Sequence, residues 1–476
     1  MSEALWQFSD LVAASGGRAD GTPSGAITGY TFDTRAIELG NVFVALKDQR
    51  DGHDFVTTAF KNGASLAIVS EAYVRQPGDG ALLRTNDPLK ALEKIGIAAR
   101  ARLSSDARVI AVTGSAGKTT TKEMLRACLT KVAPGRVHAS EKSYNNHWGV
   151  PLTLARMPAD TQYAVFEIGM NHAGEIRPLT KMVRPHAAIV TTVEAVHLEH
   201  FPNVEAIADA KAEIFEGLEP GGKAIIKLRN AHADRLAGLA RPTNASVLTF
   251  GFDDSADVSG VMTGDDGAYQ KIDVRLRSGR TSTIVLAMPG HHNAENALAV
   301  AAALDAAGAP LESALTALRE LAPPPGRGAR TRLAALGGDV LLIDESYNAN
   351  PASMRAALAT LAAVSLVQFP RRIAVLGDML ELGPAAPQLH RDLFDAVDEA
   401  GVDLLFACGP LMKGLYDAAP SAMKGGYAAT AAELTPLVLS HMQAGDVLMV
   451  KASNGTKLGA LVDAVKTRFA KAGELR

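Results

Sequence analysis

Residues 109–112 form an apolar, strand-like run that leads into Thr113-Gly114-Ser115-Ala116-Gly117-Lys118-Thr119-Thr120, and a helix-like stretch follows. That layout commits the chain to a parallel α/β sheet with a glycine turn at the carboxyl end of one strand. Glycines let backbone N–H groups approach phosphate oxygens, the helix start adds its dipole, Lys118 neutralises charge, and Thr119 offers a hydroxyl to Mg²⁺. The usual phosphate loop, Gly-x-x-x-x-Gly-Lys, would put its first glycine at position 112, where this chain has Val112. The loop is a shortened variant, Gly-x-x-Gly-Lys-Thr. Such a turn can also merely join a strand to a helix, but Met124, Leu125, Cys128 and Leu129 at helical spacing behind it favour the phosphate reading. ATP or a close relative is the expected ligand, with Gly114, Ser115, Ala116, Gly117, Lys118, Thr119 and Thr120 as its contacts.

At 476 residues the chain is long for one core, and roughly three domains are expected. Residues 1–85 read as a small α/β unit, with strands expected at 27–32, 42–46 and 66–69. Residues 86–322 read as the central unit, opening with a connecting helix at 86–106 and carrying strands at 109–112, 163–166, 188–192 and 224–226. The run Ala322-Pro323-Pro324-Pro325-Gly326 is a stiff hinge, and residues 323–476 read as a Rossmann-like unit with strands at 340–343, 373–376, 404–407 and 447–450. The fold class is therefore α/β in three domains.

A net charge of −3 provides no broad basic field, so nucleic acid is not an expected partner. Cys128 and Cys408 lie far apart in apolar settings, which suggests neither a disulfide nor a thiolate metal site. The start of the chain lacks a signal-peptide pattern and the alanine-rich runs are too short to span a bilayer; a cytoplasmic monomer without membrane insertion is expected.

Other groups collect where ligands of parallel sheets gather. Glu167 closes the strand at 163–166 and can hold Mg²⁺, although an isolated strand-end acid is more often solvated. His197 follows the next strand and could approach the same cation; His200, three residues on, could pair with it, although Mg²⁺ prefers oxygen and water. Lys211, on a helix, would ordinarily be a solvated lysine. Asn293 and Asn296 share a helix face and could bond a base, with helix capping by Asn293 as the competing role. Arg327 follows the prolines, Asp344 ends a strand before Glu345-Ser346-Tyr347-Asn348-Ala349-Asn350-Pro351, and Asp378 and Glu381 follow another.

Taken in order, these segments resemble the Mur ligase family of ATP-dependent peptidoglycan amide-forming enzymes. Asn145-Asn146-His147-Trp148-Gly149-Val150-Pro151, the Tyr347-Asn348-Ala349-Asn350 segment and Gly377-Asp378-Met379-Leu380-Glu381-Leu382-Gly383 look most like the members that add D-alanyl-D-alanine. The resemblance implies that ATP phosphorylates the terminal carboxylate of a UDP-N-acetylmuramoyl-tripeptide and that the dipeptide amine attacks the acyl phosphate. It implies Lys118 and Thr119 on the phosphates and metal, Glu167 and His197 on Mg²⁺, and Asn145 or Asn146 in the phosphate region. It places a carbamylated Lys211 among the metal ligands, Asn293 and Asn296 on the adenine side, Arg327 on phosphates and ribose, and Asp344 on the ribose, with Tyr347 and Asn348 beside them. Asp33, Thr34 and Arg35, with residues 43–55, resemble the part that holds the UDP-sugar. The alternatives are another Mur-type ligase, a folylpolyglutamate synthase, or a P-loop switch ATPase whose cycle drives partner binding.

Overall fold

Apolar runs such as Arg108–Thr113 and Tyr163–Glu167 have no polar alternation, so both faces of their strands must be covered, and helices cover them. The computed structural model describes residues 4–141, 143–196, 198–265, 269–335 and 337–473. These residues build three sheets, of five, nine and six strands.

The first contains β1 (Arg18–Asp20), β2 (Gly29–Thr31), β3 (Asn41–Val44), β4 (Leu66–Ser70) and β5 (Ala81–Thr85), in the order β1-β5-β4-β3-β2, with only β1 antiparallel to its neighbour. The second contains β6 (Arg108–Thr113), β7 (Val137–Ala139), β8 (Tyr163–Glu167), β9 (Ala187–Val190), β10 (Lys223–Lys227), β11 (Ser246–Gly251), β12 (Val258–Asp265), β13 (Gln270–Leu276) and β14 (Thr281–Leu286). Its order is β14-β13-β12-β11-β10-β9-β6-β8-β7, parallel from β7 to β12 and antiparallel beyond. The third contains β15 (Ala329–Ala335), β16 (Gly338–Glu345), β17 (Arg371–Gly377), β18 (Leu404–Cys408), β19 (Lys424–Ala428) and β20 (Asp446–Lys451), in the order β15-β16-β20-β17-β18-β19, with β15 antiparallel.

The expected strands fall within or overlap observed ones, but β1, β5, β7, β11 to β15 and β19 are not among those expected. In β13 exposed and buried residues alternate without a break, the signature of a strand covered on one face, which a search for apolar runs does not detect.

The connecting helix spans Pro88–Ala101 rather than 86–106, because Asp87 caps it by accepting from Leu89 N at 2.8 Å and Lys90 N at 3.2 Å. Ala91, Leu92, Ile95 and Ala99 bury against the first sheet's core. Arg100, at the same helix's end, donates to the carbonyls of Val183 and Arg184, both at 2.8 Å, in the second sheet's helical layer. One helix thus fastens the first sheet to the second. On the other face of the second sheet, the Lys118–Val132 and His291–Ala306 helices pack together in one core with β6 and β9. The alanines of His291–Ala306 allow burial nearly all round that helix, which carries Asn296 up to the P-loop.

Candidate active site

β6, β8 and β9 lie side by side and parallel, so Thr113, Glu167 and the segment after Val190 emerge at one edge. At that edge Gly114 has φ +148°, and a Cβ there would lie 1.9 Å from Thr191 Oγ1; Gly117 has φ +81°, and a Cβ there would lie 2.6 Å from Asn296 Oδ1. Both positions therefore require glycine, for approach as well as for dihedral angle. Ser115 N donates to Thr192 O at 2.8 Å, and Thr191 Oγ1 donates to Ala116 O at 2.5 Å, so the segment after β9 holds the loop's curvature. Lys118 begins the following helix and donates from Nζ to Gly114 O at 2.6 Å, folded back over the loop.

Glu167 is 1% exposed. One carboxylate oxygen accepts from Thr119 Oγ1 and the other from Asn145 Nδ2, each at 2.8 Å. A carboxylate has about four lone-pair positions, so two donors leave room for a cation. Of the two asparagines, only Asn145 lines the cleft; Asn146 Oδ1 instead accepts from Trp148 N at 3.2 Å and Gly149 N at 2.9 Å, starting the next helix. Lys211 is 1% exposed, and burial together with the positive charge of Lys118 holds its pKa well below the usual lysine range. Burial also lowers the pKa of Lys118, against the pull of Glu167 and with the help of Arg327. His197 lies outside the described residues. The ring of His200 packs on that of His172, with centroids 4.4 Å apart and planes tilted by 39°.

The third sheet supplies the opposite wall. A cleft of about 440 Å³ lies between Ser115–Thr119, Asn145 and Glu167 on one side and Arg327, Tyr347, Asn348 and Leu380–Leu382 on the other. A second space of about 240 Å³ adjoins it, lined by Thr120, Asn293, Asn296, His292 and Lys451. The two share Ala116, Gly117, Arg327, Asn348 and Asn350. Arg327 lies over the Tyr347 ring at 4.4 Å, and Tyr347 Oη donates to Ser143 Oγ at 3.1 Å, across to the second unit. Lys451, 2% exposed, donates to Asn348 O at 2.9 Å and Glu345 Oε2 at 3.3 Å, fixing the loop from below. Asp344 lines neither space: its carboxylate accepts from Gly326 N at 3.2 Å, Ser346 N at 3.1 Å and Ser346 Oγ at 2.6 Å. Asp378 likewise serves the backbone, accepting from Met412 N at 2.7 Å. Asn293 does not cap its helix, whose N-cap position is Gly290 with no side-chain cap bond; instead its Nδ2 donates to Pro289 O at 2.9 Å and the residue lines the cavity wall.

Residues 112–304 match the family model described as Mur ligase middle domain, and residues 329–454 match that described as Mur ligase, glutamate ligase domain. UDP-N-acetylmuramoyl-tripeptide--D-alanyl-D-alanine ligase of Rickettsia prowazekii (strain Madrid E) is 31% identical, over 91% of this chain and 94% of that protein. The Escherichia coli (strain K12) protein of the same name is 36% identical, over 86% of each. The chain belongs to the Mur ligase family. Among solved structures, that of MurF from Acinetobacter baumannii superposes with a TM-score of 0.83 at 30% identity, covering 97% of this chain and 99% of that one.

A third space in this Mur ligase lies away from the phosphate cleft. It occupies about 900 Å³ on the first sheet, between Ala45–Asp54, Ser70–Gln76, Asn86–Leu89 and Trp148. His53 Nδ1 is 2.6 Å from Asp51 Oδ1, and His53 Nε2 accepts from Ser70 N at 2.9 Å, which fixes the ring in the cavity wall. Trp148 reaches this cavity while Asn145, three residues earlier, reaches the phosphate cleft; Phe32 steadies the loop by packing on Tyr144 and Trp148 at 5.8 and 5.7 Å. Asp33 caps the 3₁₀ turn Thr34–Ala36 outside this lining, with Arg35 Nε and Nη2 donating to the Asp33 carboxylate at 2.9 and 2.8 Å. Residues 43–55 contribute to this lining as expected; Trp148 belongs to the Asn145–Pro151 segment, for which only a phosphate-region role is expected, because its place in this cavity depends on how two sheets meet. Among the described residues no helix is long and apolar enough to cross a membrane.

Proposed function

We propose that this chain is an ATP-dependent ligase that joins D-alanyl-D-alanine to UDP-N-acetylmuramoyl-tripeptide in peptidoglycan precursor synthesis. The observation that carries the mechanism is the convergence of a glycine-built phosphate loop, a buried Glu167 with free acceptor positions, and a third-sheet wall across one cleft.

The P-loop amides and Lys118 would hold the phosphates of ATP, with the base and ribose in the smaller space near Asn293 and Asn296. The donor set fits Mg²⁺: a carboxylate and a hydroxyl suffice for an ion that completes its shell with phosphate oxygens and water. Thr119 and Glu167, with His197 as a further proposed ligand, would hold Mg²⁺, whose charge would screen the phosphates from the incoming carboxylate. A tripeptide carboxylate oxygen attacks the terminal phosphorus and ADP leaves; the uncharged dipeptide amine then attacks the acyl carbon. The tetrahedral intermediate expels inorganic phosphate as the amine loses its proton. Lys118, Arg327 and the loop amides face the charge that develops. Closure of the third unit excludes water from the acyl phosphate.

Lys211 is proposed to be carbamylated. Its lowered pKa populates the free amine, the form that adds carbon dioxide, and the product replaces a cation near Lys118 by an anionic oxygen ligand. Residues 1–85 are proposed to hold the UDP end in the 900 Å³ cavity, with the loop through Asn145 and Trp148 spanning the distance to the carboxylate. Residues 86–322 are proposed as the ATP-binding unit and 323–476 as the closing unit that brings the dipeptide. ADP release is the test: it should require both UDP-muramoyl-tripeptide and D-alanyl-D-alanine, and turnover independent of either contradicts the proposal.

A further inference from the structure

Asn350 precedes the Pro351–Ala362 helix in extended conformation and caps it. Its Oδ1 accepts from Ser353 N at 2.8 Å, and its backbone N–H donates to Ser353 Oγ at 2.9 Å. The cap fixes which end of the amide is which: the oxygen is committed to the helix, and the Nδ2 donor is left over. The residue is 3% exposed and Nδ2 has no hydrogen-bond partner. Several other buried polar side-chain atoms are also unpartnered, but among the described residues Asn350 is the one of these that lines either cleft, and it lines both. It shares the junction with Ala116 and Gly117 of the P-loop, with Arg327 and with Asn348. A buried amide donor closed off from bulk solvent needs an acceptor delivered within the junction itself. Opposite stand the loop and helix start that favour anions, and the start of the Pro351–Ala362 helix favours them too.

We propose that Asn350 Nδ2 donates to a terminal-phosphate oxygen of the bound nucleoside triphosphate, so that the third sheet reads the presence of that phosphate through the same residue that starts its first helix. This rests on the ATP reading above. The junction lies between the smaller nucleotide-side space and the larger cleft that holds Glu167, which is where the transferable phosphate must lie.

The test is calorimetric titration of the full chain with Mg²⁺ and either a non-hydrolysable ATP analogue bridged by nitrogen between its last two phosphates, or ADP. Asn350→Ser keeps a good capping oxygen and removes the amide. It should bind the triphosphate analogue about ten-fold or more weakly, as expected for a lost bond to a charged acceptor, and ADP within about two-fold of the parent, with an unchanged melting temperature. Asn350→Asp keeps the shape and the cap but sets a carboxylate against phosphate, and should lose more. Unchanged triphosphate affinity in both variants, or equal losses for ADP and triphosphate, overturns the proposal. A parent that binds nucleotide but forms no ligated product overturns the ligase reading alone; a parent that forms product while both variants bind the analogue normally overturns Asn350 alone.

Discussion

On the P-loop wall of the cleft Lys118 already rests on Gly114 O, and Thr119 and Asn145 already hold both oxygens of Glu167. Across from it Asn350 Nδ2 has no partner, Leu380 and Tyr347 are 43% and 37% exposed, and Glu381 takes a left-handed φ of +64° at the rim. The phosphate half is assembled by its own sheet, whereas the other half is completed by what enters the cleft. The difference suits a reaction in which a phosphoryl group must be held before a second, amine-bearing substrate is enclosed.

The difference should appear in the severity of substitutions. Glu167→Gln leaves Thr119 and Asn145 hydrogen-bonding capacity but removes the charge; kcat should fall by about 10³-fold or more, and near-parental turnover would take Glu167 out of the phosphate half. Next comes Lys211→Ala, expected to cost about 10²-fold and to recover partly when short carboxylic acids supply the missing anion. No loss in the unrescued variant would remove Lys211 from the mechanism. A milder effect belongs to the other wall: Tyr347→Phe keeps the ring under Arg327 and deletes the bond to Ser143. A rise of about three-fold in KM for ATP is expected, consistent with about 0.5–1 kcal/mol for one partly exposed hydrogen bond. A Tyr347→Phe effect as large as that of Glu167→Gln would erase the distinction between the walls.

A different kind of effect, on stability rather than turnover, concerns the support beneath the P-loop wall. His186 Nδ1 accepts from Val109 N at 3.0 Å at the start of β6, and burial, with Arg100 and Arg108 nearby, lowers its pKa to about 4. The folded ring stays neutral while the unfolded ring takes up a proton below about 6.5, so stability is lost as pH falls from about 6.5 to about 4 and levels off below. About 2 kcal/mol is expected after allowance for solvent screening. Chemical denaturation of parent and His186→Asn across that range measures it, and parallel curves would rule it out.

How much of this was legible in the sequence depended on how local each cause is. Gly114 and Gly117 could be read because a phosphate loop demands glycine at fixed spacing from Lys118, and the clashes a Cβ would make bear the same cause. The apolar centres of the parallel strands were legible for a similar reason: coverage on both faces leaves an unbroken run. Asn145 and Asn146 are chemically identical, and which one lines the cleft follows from the turn, in which Asn146 Oδ1 accepts from Trp148 N and Gly149 N as the chain enters the next helix. The burial of Lys211 runs against the default for a helical lysine and follows only from how the second unit packs. Asp344 marks a strand end in the sequence, yet its carboxylate is engaged by Gly326 and Ser346, a contact set by a turn before its strand and one after.

The most direct measurement follows oxygen. UDP-muramoyl-tripeptide labelled with ¹⁸O in its terminal carboxylate is ligated to D-alanyl-D-alanine by the full chain with ATP and Mg²⁺, and the released phosphate is weighed by mass spectrometry. Attack of the carboxylate on the terminal phosphorus requires one labelled oxygen per turnover to leave in inorganic phosphate, with the other retained in the new amide. Ligated product accompanied by unlabelled phosphate would contradict the acyl-phosphate route through this cleft.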